Sequence, residues 1–110
     1  LYEDFQNADI LVFATPVYYY AVCGQMKTLL DRLNPLFARK NKFQDVYLLA
    51  TAADDENSAM DGAVKDIQGW IDCFSGVKLK GVICGVGVTE KGAINNTPFP
   101  EQAYEMGKNA

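Results

Sequence analysis

The sequence predicts an α/β domain in which a parallel sheet carries helices on both faces. Three short apolar runs rich in β-forming residues lie at 10–14, 46–53 and 82–88. Runs of this length suit strands that are buried inside a sheet. Segments with apolar residues at intervals of three and four alternate with the runs, as in helices with one buried face. Because parallel strands need long crossover connections, which helices usually supply, the alternation indicates a single α/β domain over residues 1–110.

The chain begins with the pattern of a helix followed by the first strand. Residues 1–9 place Leu1 and Phe5 on one side, as in a helix already under way. The apolar run at 10–14 ends before Pro16 and predicts a strand buried on both faces. Since the chain starts at Leu1, inside a helical pattern, we expect it to be the C-terminal part of a longer protein.

Three further helices are predicted between and after the remaining strands. The first spans 24–33, and a proline soon after it stops the helix. The second spans 60–74 and follows an acidic loop whose polar residues suit a helix N-terminus. The last begins near Pro98 or Pro100, because proline is tolerated in the first turn of a helix.

Composition limits the possible partners. The chain has a net charge of −4 and no histidine, and no arginine-rich segment or basic stripe is present. These features argue against nucleic acid as a partner. No apolar run approaches the roughly 20 residues that cross a bilayer, so no membrane partner is expected. The three cysteines, Cys23, Cys73 and Cys84, are widely spaced and odd in number, which argues against a disulfide framework and favours a cytoplasmic protein.

Three loops follow the predicted strands, and we expect a ligand site where they meet. They span 15–24, 51–58 and 87–96. In an open α/β sheet, ligands bind beyond the carboxyl ends of the strands. The first loop contains three consecutive tyrosines, the second is acidic, and the third contains glycines that let a backbone approach closely.

The aromatic loop has two interpretations. Tyr18, Tyr19 and Tyr20 could form a flat wall for a planar ligand, next to the free N–H groups and positive dipole end of the helix that follows. A flavin or a nucleotide base suits both features. Tyrosines after a strand also commonly cover a core edge or fill an interface. Composition and position alone favour this structural role.

Other polar and sulfur-containing residues have simple explanations. Three consecutive acidic residues at 54–56 could suggest a metal site, but such residues before a helix more often form a solvated cap. Cys23 could be a reactive thiol, although a packed small hydrophobic residue is the favoured interpretation. We expect Cys73 and Cys84 to lie in the core.

The segment ADILVFATPVYYYAVCGQMKTLLDRL, residues 8–33, resembles the central part of the flavodoxin-like NAD(P)H-dependent FMN reductases. It is most similar to the branch that includes the iron–sulfur flavoproteins. The shared pattern is an apolar strand, Thr-Pro-Val-Tyr, a short aromatic loop, Gly-x-Met-Lys and Asp-Arg. The residues that match are Pro16, Val17, Tyr18, Gly24, Met26, Lys27, Asp31 and Arg32. The tail from Gly87 onward, with its Ala-Tyr-x-x-Gly-Lys close, is also similar to the end of these proteins.

This resemblance implies a flavodoxin-like fold of strand order 2-1-3-4-5, in which the three predicted strands are the third, fourth and fifth. It implies FMN as cofactor, NAD(P)H as co-substrate, and hydride transfer from NAD(P)H through the flavin to an acceptor. No side chain is expected to act as a general acid or base. The residues that the resemblance places at the cofactor are Thr15, Pro16, Val17, Tyr18, Tyr19, Tyr20, Cys23, Gly24, Thr51, Ala52, Asp54 and Gly87.

The sequence departs from the family pattern at its N-terminal side. The first two strands, the phosphate-binding loop and the cysteine cluster of the iron–sulfur branch have no counterpart. That loop would hold the FMN phosphate on N–H groups at a helix N-terminus. The strand at 10–14 would then have a long, apolar, unpaired edge, which favours association. We expect a second copy of the chain to cover it, as a homo-oligomer, or else a missing N-terminal segment. The alternative function is a non-catalytic module that oligomerises through this edge.

Overall fold

The computed structural model describes residues 1–110 and contains one four-stranded sheet of order β2-β1-β3-β4. The strands are β1 Ile10–Tyr18, β2 Ala21–Val22, β3 Asp45–Thr51 and β4 Lys78–Gly85. Strands β1, β3 and β4 are parallel, and β2 is antiparallel to β1. The predicted α/β class with a largely parallel sheet is confirmed.

Four α-helices connect and flank the strands: α1 Tyr2–Asn7, α2 Gly24–Arg32, α3 Asp61–Ile71 and α4 Phe99–Lys108. Short 3-10 turns lie at Asn34–Ala38, Asn57–Met60 and Ala93–Asn96. Pro98 and Pro100 flank the first residue of α4, as predicted for a helix start. None of the helices has the length and apolar character needed to cross a membrane.

One face of the sheet, the α2–α3 face, carries the hydrophobic core. Alternate residues of β1 and β3 point into it, because successive side chains of a strand face opposite sides. An aromatic group closes this core, with the rings of Phe13 and Trp70 packed edge to face at 5.4 Å. The main buried residues are Leu11, Phe13, Val46, Leu48 and Ala50 from the strands and Met26, Leu30, Ala63, Ile67 and Ile71 from the helices.

The opposite face, the α4 face, is only partly covered. Helix α4 lies against β4, where Met106 packs over Gly81. On β1, Ile10 is 37% exposed and Val12 is 58% exposed. The prediction that the run at 10–14 is buried on both faces is therefore wrong, because α4 alone does not reach across to β1.

The first strand extends further than predicted. It continues through Pro16 to Tyr18, because Val17 and Tyr18 pair with Val22 and Ala21 of β2. The segment predicted as a loop at 15–24 is thus mostly a short hairpin that runs into α2. On the outer side of β1, residues 10–16 have no strand partner within this chain.

The last strand begins earlier than predicted. The apolar run suggested 82–88, whereas β4 spans Lys78–Gly85. Strand β4 is at the edge of the sheet and pairs only with β3, and its first residues alternate, with Lys78 and Lys80 exposed and Leu79 and Gly81 partly buried. Searching for a continuous apolar run misses the alternating pattern of such an edge strand.

The three cysteines are free and differ in exposure. Cys23 is buried, Cys84 is half-buried and Cys73 is exposed. Burial raises the pKa of the Cys84 thiol, and the negative charge of Asp61 adds to the shift. The prediction that Cys73 is a core residue is wrong, because α3 ends at Ile71 and leaves Cys73 in the exposed turn that follows.

Candidate functional site

The three consecutive tyrosines form the tip of the β1–β2 hairpin. Tyr18 ends β1, and Tyr19 and Tyr20 make the two-residue connection to β2. Their φ angles are 49° and 63°, in the left-handed region. Two residues with positive φ are typical of a type I′ hairpin turn, for which Asn-Gly is the preferred sequence. A bulky residue in this region costs on the order of 1–3 kcal/mol, so contacts from the surrounding structure must hold the turn.

The tyrosine side chains are exposed. Tyr18 is 62% exposed, Tyr19 99% and Tyr20 61%. Composition and position favoured a structural role, such as covering a core edge. The exposed side chains show that the tyrosines do not cover a core edge of this chain. The Tyr20 hydroxyl donates to Asp54 Oδ2 at 3.3 Å, and the N–H of Glu56 donates to Asp54 Oδ1 at 2.9 Å. The Asp54 carboxylate thus braces the turn against the loop after β3.

Helix α3 contacts the backbone of the hairpin at two points. The backbone N–H of Val22 donates to Asp66 Oδ2 at 3.2 Å. A Cβ atom on Gly62 would lie 1.9 Å from the carbonyl oxygen of Tyr20, far inside van der Waals contact. The first turn of α3 can therefore approach the tyrosine turn only because residue 62 is glycine.

Thr15 and Cys23 join the end of the first strand to the start of α2. The buried Thr15 hydroxyl donates to the Pro16 carbonyl at 2.7 Å and accepts from the N–H of Cys23 at 3.1 Å. Hydrogen bonding to the Thr15 side chain, and to the backbone of Met26 and Gln25, lowers the pKa of the Cys23 thiol, with burial opposing the shift. Cys23 is buried, as expected for the packed small hydrophobic residue that the sequence favoured.

Backbone hydrogen bonds join the loops after β3 and β4 into one wall. The N–H of Gly87 donates to the Asp54 carbonyl at 2.9 Å, and that of Val88 donates to the Ala52 carbonyl at 3.0 Å. The N–H of Ala52 in turn donates to the Gly85 carbonyl at 3.0 Å. Gly87 has a φ of 69°, which glycine adopts without strain.

The loop after β3 also presents unused hydrogen-bond donors. The backbone N–H groups of Ala53, Asp54 and Asp55 donate to no acceptor in the protein. Ala53 and Asp55 are exposed, and Asp54 carries the carboxylate that receives the Tyr20 hydroxyl. Three successive donors therefore lie beside the aromatic turn and can bind electronegative atoms of a ligand.

Two cavities lie at the carboxyl ends of the strands. The strand-end cavity has a volume of about 350 Å³, lies on the α4 face, and is lined mainly by apolar residues of the strands and of the start of α4. The tyrosine cavity has a volume of about 260 Å³ and lies between the aromatic turn and the loop after β3. Small-molecule sites usually measure about 300–1,000 Å³, so the strand-end cavity falls within this range and the tyrosine cavity just below it.

The structure distributes the expected cofactor residues over these cavities. The strand-end cavity is lined by Thr15, Pro16 and Thr51. The tyrosine cavity is lined by Val17, Tyr19, Tyr20, Ala52 and Asp54. Neither cavity is lined by Tyr18, Cys23, Gly24 or Gly87.

Several lining residues were absent from the sequence-based set. They are Gly85, Ile94 and Phe99 in the strand-end cavity and Ala53 and Ala59 in the tyrosine cavity. The start of α4 folds back over the strand ends, and no local pattern signals that return. Gly85 was available as a signal, since a glycine in a strand often marks a close approach. A Cβ on it would lie 3.3 Å from both Ile94 and Thr51 side-chain atoms.

Comparison with known proteins establishes the family. Residues 1–85 match the family model described as NADPH-dependent FMN reductase. The chain belongs to the NADPH-dependent FMN reductase family. The family is one of flavin oxidoreductases, described as FMN reductases that depend on NADPH. The resemblance carried by residues 8–33 is thereby confirmed.

Solved structures of similar shape support the fold. The Trp repressor binding protein from Bacillus subtilis has a TM-score of 0.72 and 22% identity, over 94% of this chain and 68% of that chain. The azoreductase AzrA has a TM-score of 0.57 and 21% identity, and the chain spans about half of its length, 53%. No curated protein matches significantly. The flavodoxin-like fold is confirmed.

The residues at the strand ends fit a flavin ring. An isoalloxazine is planar and apolar on its faces, and its pyrimidine edge carries electronegative atoms. The aromatic turn offers exposed tyrosine side chains, and the loop that lines the same cavity has the unused N–H groups of residues 53–55. The Asp54 carboxylate in the same loop already accepts hydrogen bonds from the Tyr20 hydroxyl and the Glu56 N–H.

Proposed function

We propose that the chain forms the flavin-binding part of an NAD(P)H-dependent oxidoreductase that transfers hydride from NAD(P)H through FMN to an acceptor. The observation that carries the proposal is the exposed Tyr19–Tyr20 turn beside three unused backbone donors. Family membership supports FMN and NADPH as the cofactor and co-substrate. The azoreductase likeness supports the fold that presents these loops together.

Each group of the site has a distinct proposed role. Tyr19 and Tyr20 provide an apolar surface for the flavin ring, and the N–H groups of residues 53–55 donate to its polar edge. The buried Thr15 hydroxyl holds the end of β1 against the start of α2. When bound, FMN supplies the hydride-accepting and hydride-donating chemistry, while the protein supplies position and electrostatics.

Access for the co-substrate is proposed along the loop after β4. Gly87 is exposed and carries no side chain, and its N–H is bonded to the Asp54 carbonyl at the border of the tyrosine cavity. We propose that a nicotinamide ring approaches the flavin past this exposed glycine. We also propose that the phosphate of FMN is held by an N-terminal unit of the intact protein, since phosphate sites in this fold are N–H groups at a helix start.

The first test is a titration of the purified 110-residue chain with FMN and, separately, with riboflavin, followed by flavin fluorescence and visible absorbance. We expect saturable quenching and a shifted flavin spectrum with both ligands, because the proposed contacts are to the ring. Tyr19→Ala should weaken both ligands by a similar factor of about tenfold, in line with stacking of about 1–3 kcal/mol per ring.

A positive titration would be followed by an NAD(P)H oxidation assay with the intact protein. The enzyme proposal is contradicted if neither the chain nor the intact protein binds FMN. It is also contradicted if the flavin-loaded intact protein leaves NADH and NADPH unoxidised.

A second candidate function is a non-catalytic module that assembles through its free strand edge, as a homo-oligomer. The observation that favours it is the outer edge of β1 at residues 10–16, which has no strand partner, together with the exposed Val12. Light scattering at micromolar concentration tests it, and a clean monomer would contradict it. For either function we propose a cytoplasmic location, which suits three free cysteines.

A further inference from the structure

We propose that Gly62 and Asp66 of α3 are positioning residues for the Tyr19–Tyr20 turn, and through that turn for flavin binding. The inference deepens the proposed function and rests on it. Neither residue lines the strand-end cavity or the tyrosine cavity. Both act from the far side of the hairpin, on backbone atoms that flank the aromatic side chains.

The hairpin is too short to hold this turn by itself. Strand β2 has two residues, and only two residue pairs join it to β1. An isolated hairpin is marginally stable even when it is longer. Both connecting residues are tyrosines with positive φ, a conformation that disfavours bulky side chains. The observed turn therefore requires support from outside the hairpin.

Asp66 supplies one part of this support. Its Oδ2 accepts from the N–H of Val22 at 3.2 Å, in a partly buried position. The next N–H along the chain, that of Cys23, donates to the Thr15 hydroxyl. Two successive backbone donors after the turn are thus bound by side chains. Because these bonds fix the path from the turn into α2, losing the carboxylate releases one of the two anchors.

Gly62 supplies the other part of the support, because it lets α3 pack directly against the backbone of the turn. Its missing side chain leaves room for the Tyr20 carbonyl, which a Cβ would approach to 1.9 Å. The close approach of the Tyr20 carbonyl accounts for glycine at position 62, since any other residue would place a Cβ there. Gly69 of the same helix provides a matched control, because a Cβ there would meet no atom within 4 Å.

The tyrosine turn links Gly62 and Asp66 to the residues that line the tyrosine cavity. Tyr20 carries the carbonyl that contacts Gly62 and the hydroxyl that bonds to Asp54. Asp54 also contributes one of the unused N–H groups. A shift of Tyr20 therefore changes both the aromatic surface and the loop that presents the donors, and displacements of about 1 Å are enough to cost binding or activity.

The experiment compares the variants Gly62→Ala, Asp66→Ala, Asp66→Asn and Gly69→Ala in the 110-residue chain. For each we would measure the FMN dissociation constant, the visible spectrum of bound flavin, and the NMR positions of the Tyr19, Tyr20 and Val22 amides. Gly62→Ala and Asp66→Ala should weaken FMN by about tenfold or more, consistent with loss of a hydrogen bond to a charged group for Asp66.

Both weakened variants should also change the flavin spectrum and move the three amide signals. Asp66→Asn should restore most of the affinity, because its side-chain oxygen still accepts from Val22. Gly69→Ala should keep the wild-type affinity, flavin spectrum and amide positions, with a stability equal to or above that of wild type. A general loss of stability would instead move amide signals throughout the chain and would not single out those of the turn.

The outcomes separate this inference from the proposed function. If wild type binds FMN and both Gly62→Ala and Asp66→Ala keep its affinity, spectrum and amide positions, the inference is overturned and the function stands. If the wild-type 110-residue chain binds no FMN, the amide signals alone show whether α3 positions the turn, and FMN binding by the intact protein decides the proposed function. If Gly62→Ala does not fold, the Asp66→Ala and Asp66→Asn pair decides.

Discussion

Neighbouring residues of β1 have opposite environments on the two faces of the sheet. Leu11 and Phe13 are buried on the α2–α3 face, whereas Ile10 and Val12 are exposed on the α4 face. All four are apolar, so strand propensity does not separate them. The difference comes from the helices, because several elements pack on one face and α4 alone covers part of the other. Apolar character therefore predicts that a residue can be buried, and the tertiary neighbours decide whether it is.

The two sides of the sheet also differ in what they contribute, one to stability and the other to binding. The α2–α3 face contains the fully buried side chains and the aromatic cluster, which supply most of the hydrophobic stabilisation. The strand ends and the α4 face contain the strand-end cavity and the free β1 edge. We expect substitutions on the first face to act on unfolding, and those on the second to act on ligand binding or association.

The largest expected effect is that of Leu48→Ala on the α2–α3 face. Leu48 is fully buried in β3, so its truncation should lower the free energy of unfolding by about 2–5 kcal/mol. Urea unfolding of the chain measures this. Val12→Ala is the matched control on the other face of the sheet and should cost less than about 1 kcal/mol, because Val12 is already exposed. Equal losses for the two variants would contradict the conclusion that the α2–α3 face supplies most of the stability.

A smaller effect is expected for Gly81→Ala beneath α4. A Cβ there would lie 2.6 Å from the Met106 sulfur and 3.0 Å from the Tyr47 ring. Overpacking of this kind typically costs about 1–3 kcal/mol. Met106 can move, but the buried Tyr47 ring cannot easily do so, and α4 should loosen. Thermal unfolding measures the loss, with Gly69→Ala as control. An unchanged melting temperature would mean that the α4 face adapts to an added methyl group.

The smallest effect on stability is expected for Val12→Lys. The side chain is exposed, so the free energy of unfolding should change by only about 0.5 kcal/mol. A lysine on an edge strand opposes pairing with another strand, so any oligomer that forms through residues 10–16 should dissociate. Light scattering of both proteins at matched concentration tests this. An oligomer of unchanged mass in the variant would place the interface elsewhere.

Local sequence patterns predicted the architecture well where they reflect burial on one side of a regular element. The alternation of apolar runs and helical periodicity led to the correct α/β class, and the Thr-Pro-Val-Tyr segment led to the correct family. The failures occur where the pattern is weak. Strand β2 has two residues and a Tyr-Tyr turn without the usual Asn-Gly signal, so the hairpin was predicted as a loop.

The site was predicted in part for the same reason. Loops at the carboxyl ends of parallel strands lie at the same edge of the sheet, so the loops at 15–24 and 51–58 could be grouped from the predicted sheet, and the resemblance placed Ala52 and Asp54 at the site. The contact between Gly62 and the Tyr20 carbonyl joins residues far apart in the chain. No local pattern contains that information, because it depends on how α3 crosses the sheet.

The three long strands, the helices between and after them, the parallel sheet and the position of the aromatic segment at its carboxyl end could therefore be predicted from the sequence. These follow from periodicity and chain connectivity, which act over a few residues at a time. The exposure of the tyrosines, the positive φ angles of their turn and its contacts with Gly62 and Asp66 of α3 depend on how distant segments pack. A strained turn persists only when packing and hydrogen bonds from distant segments outweigh its local cost.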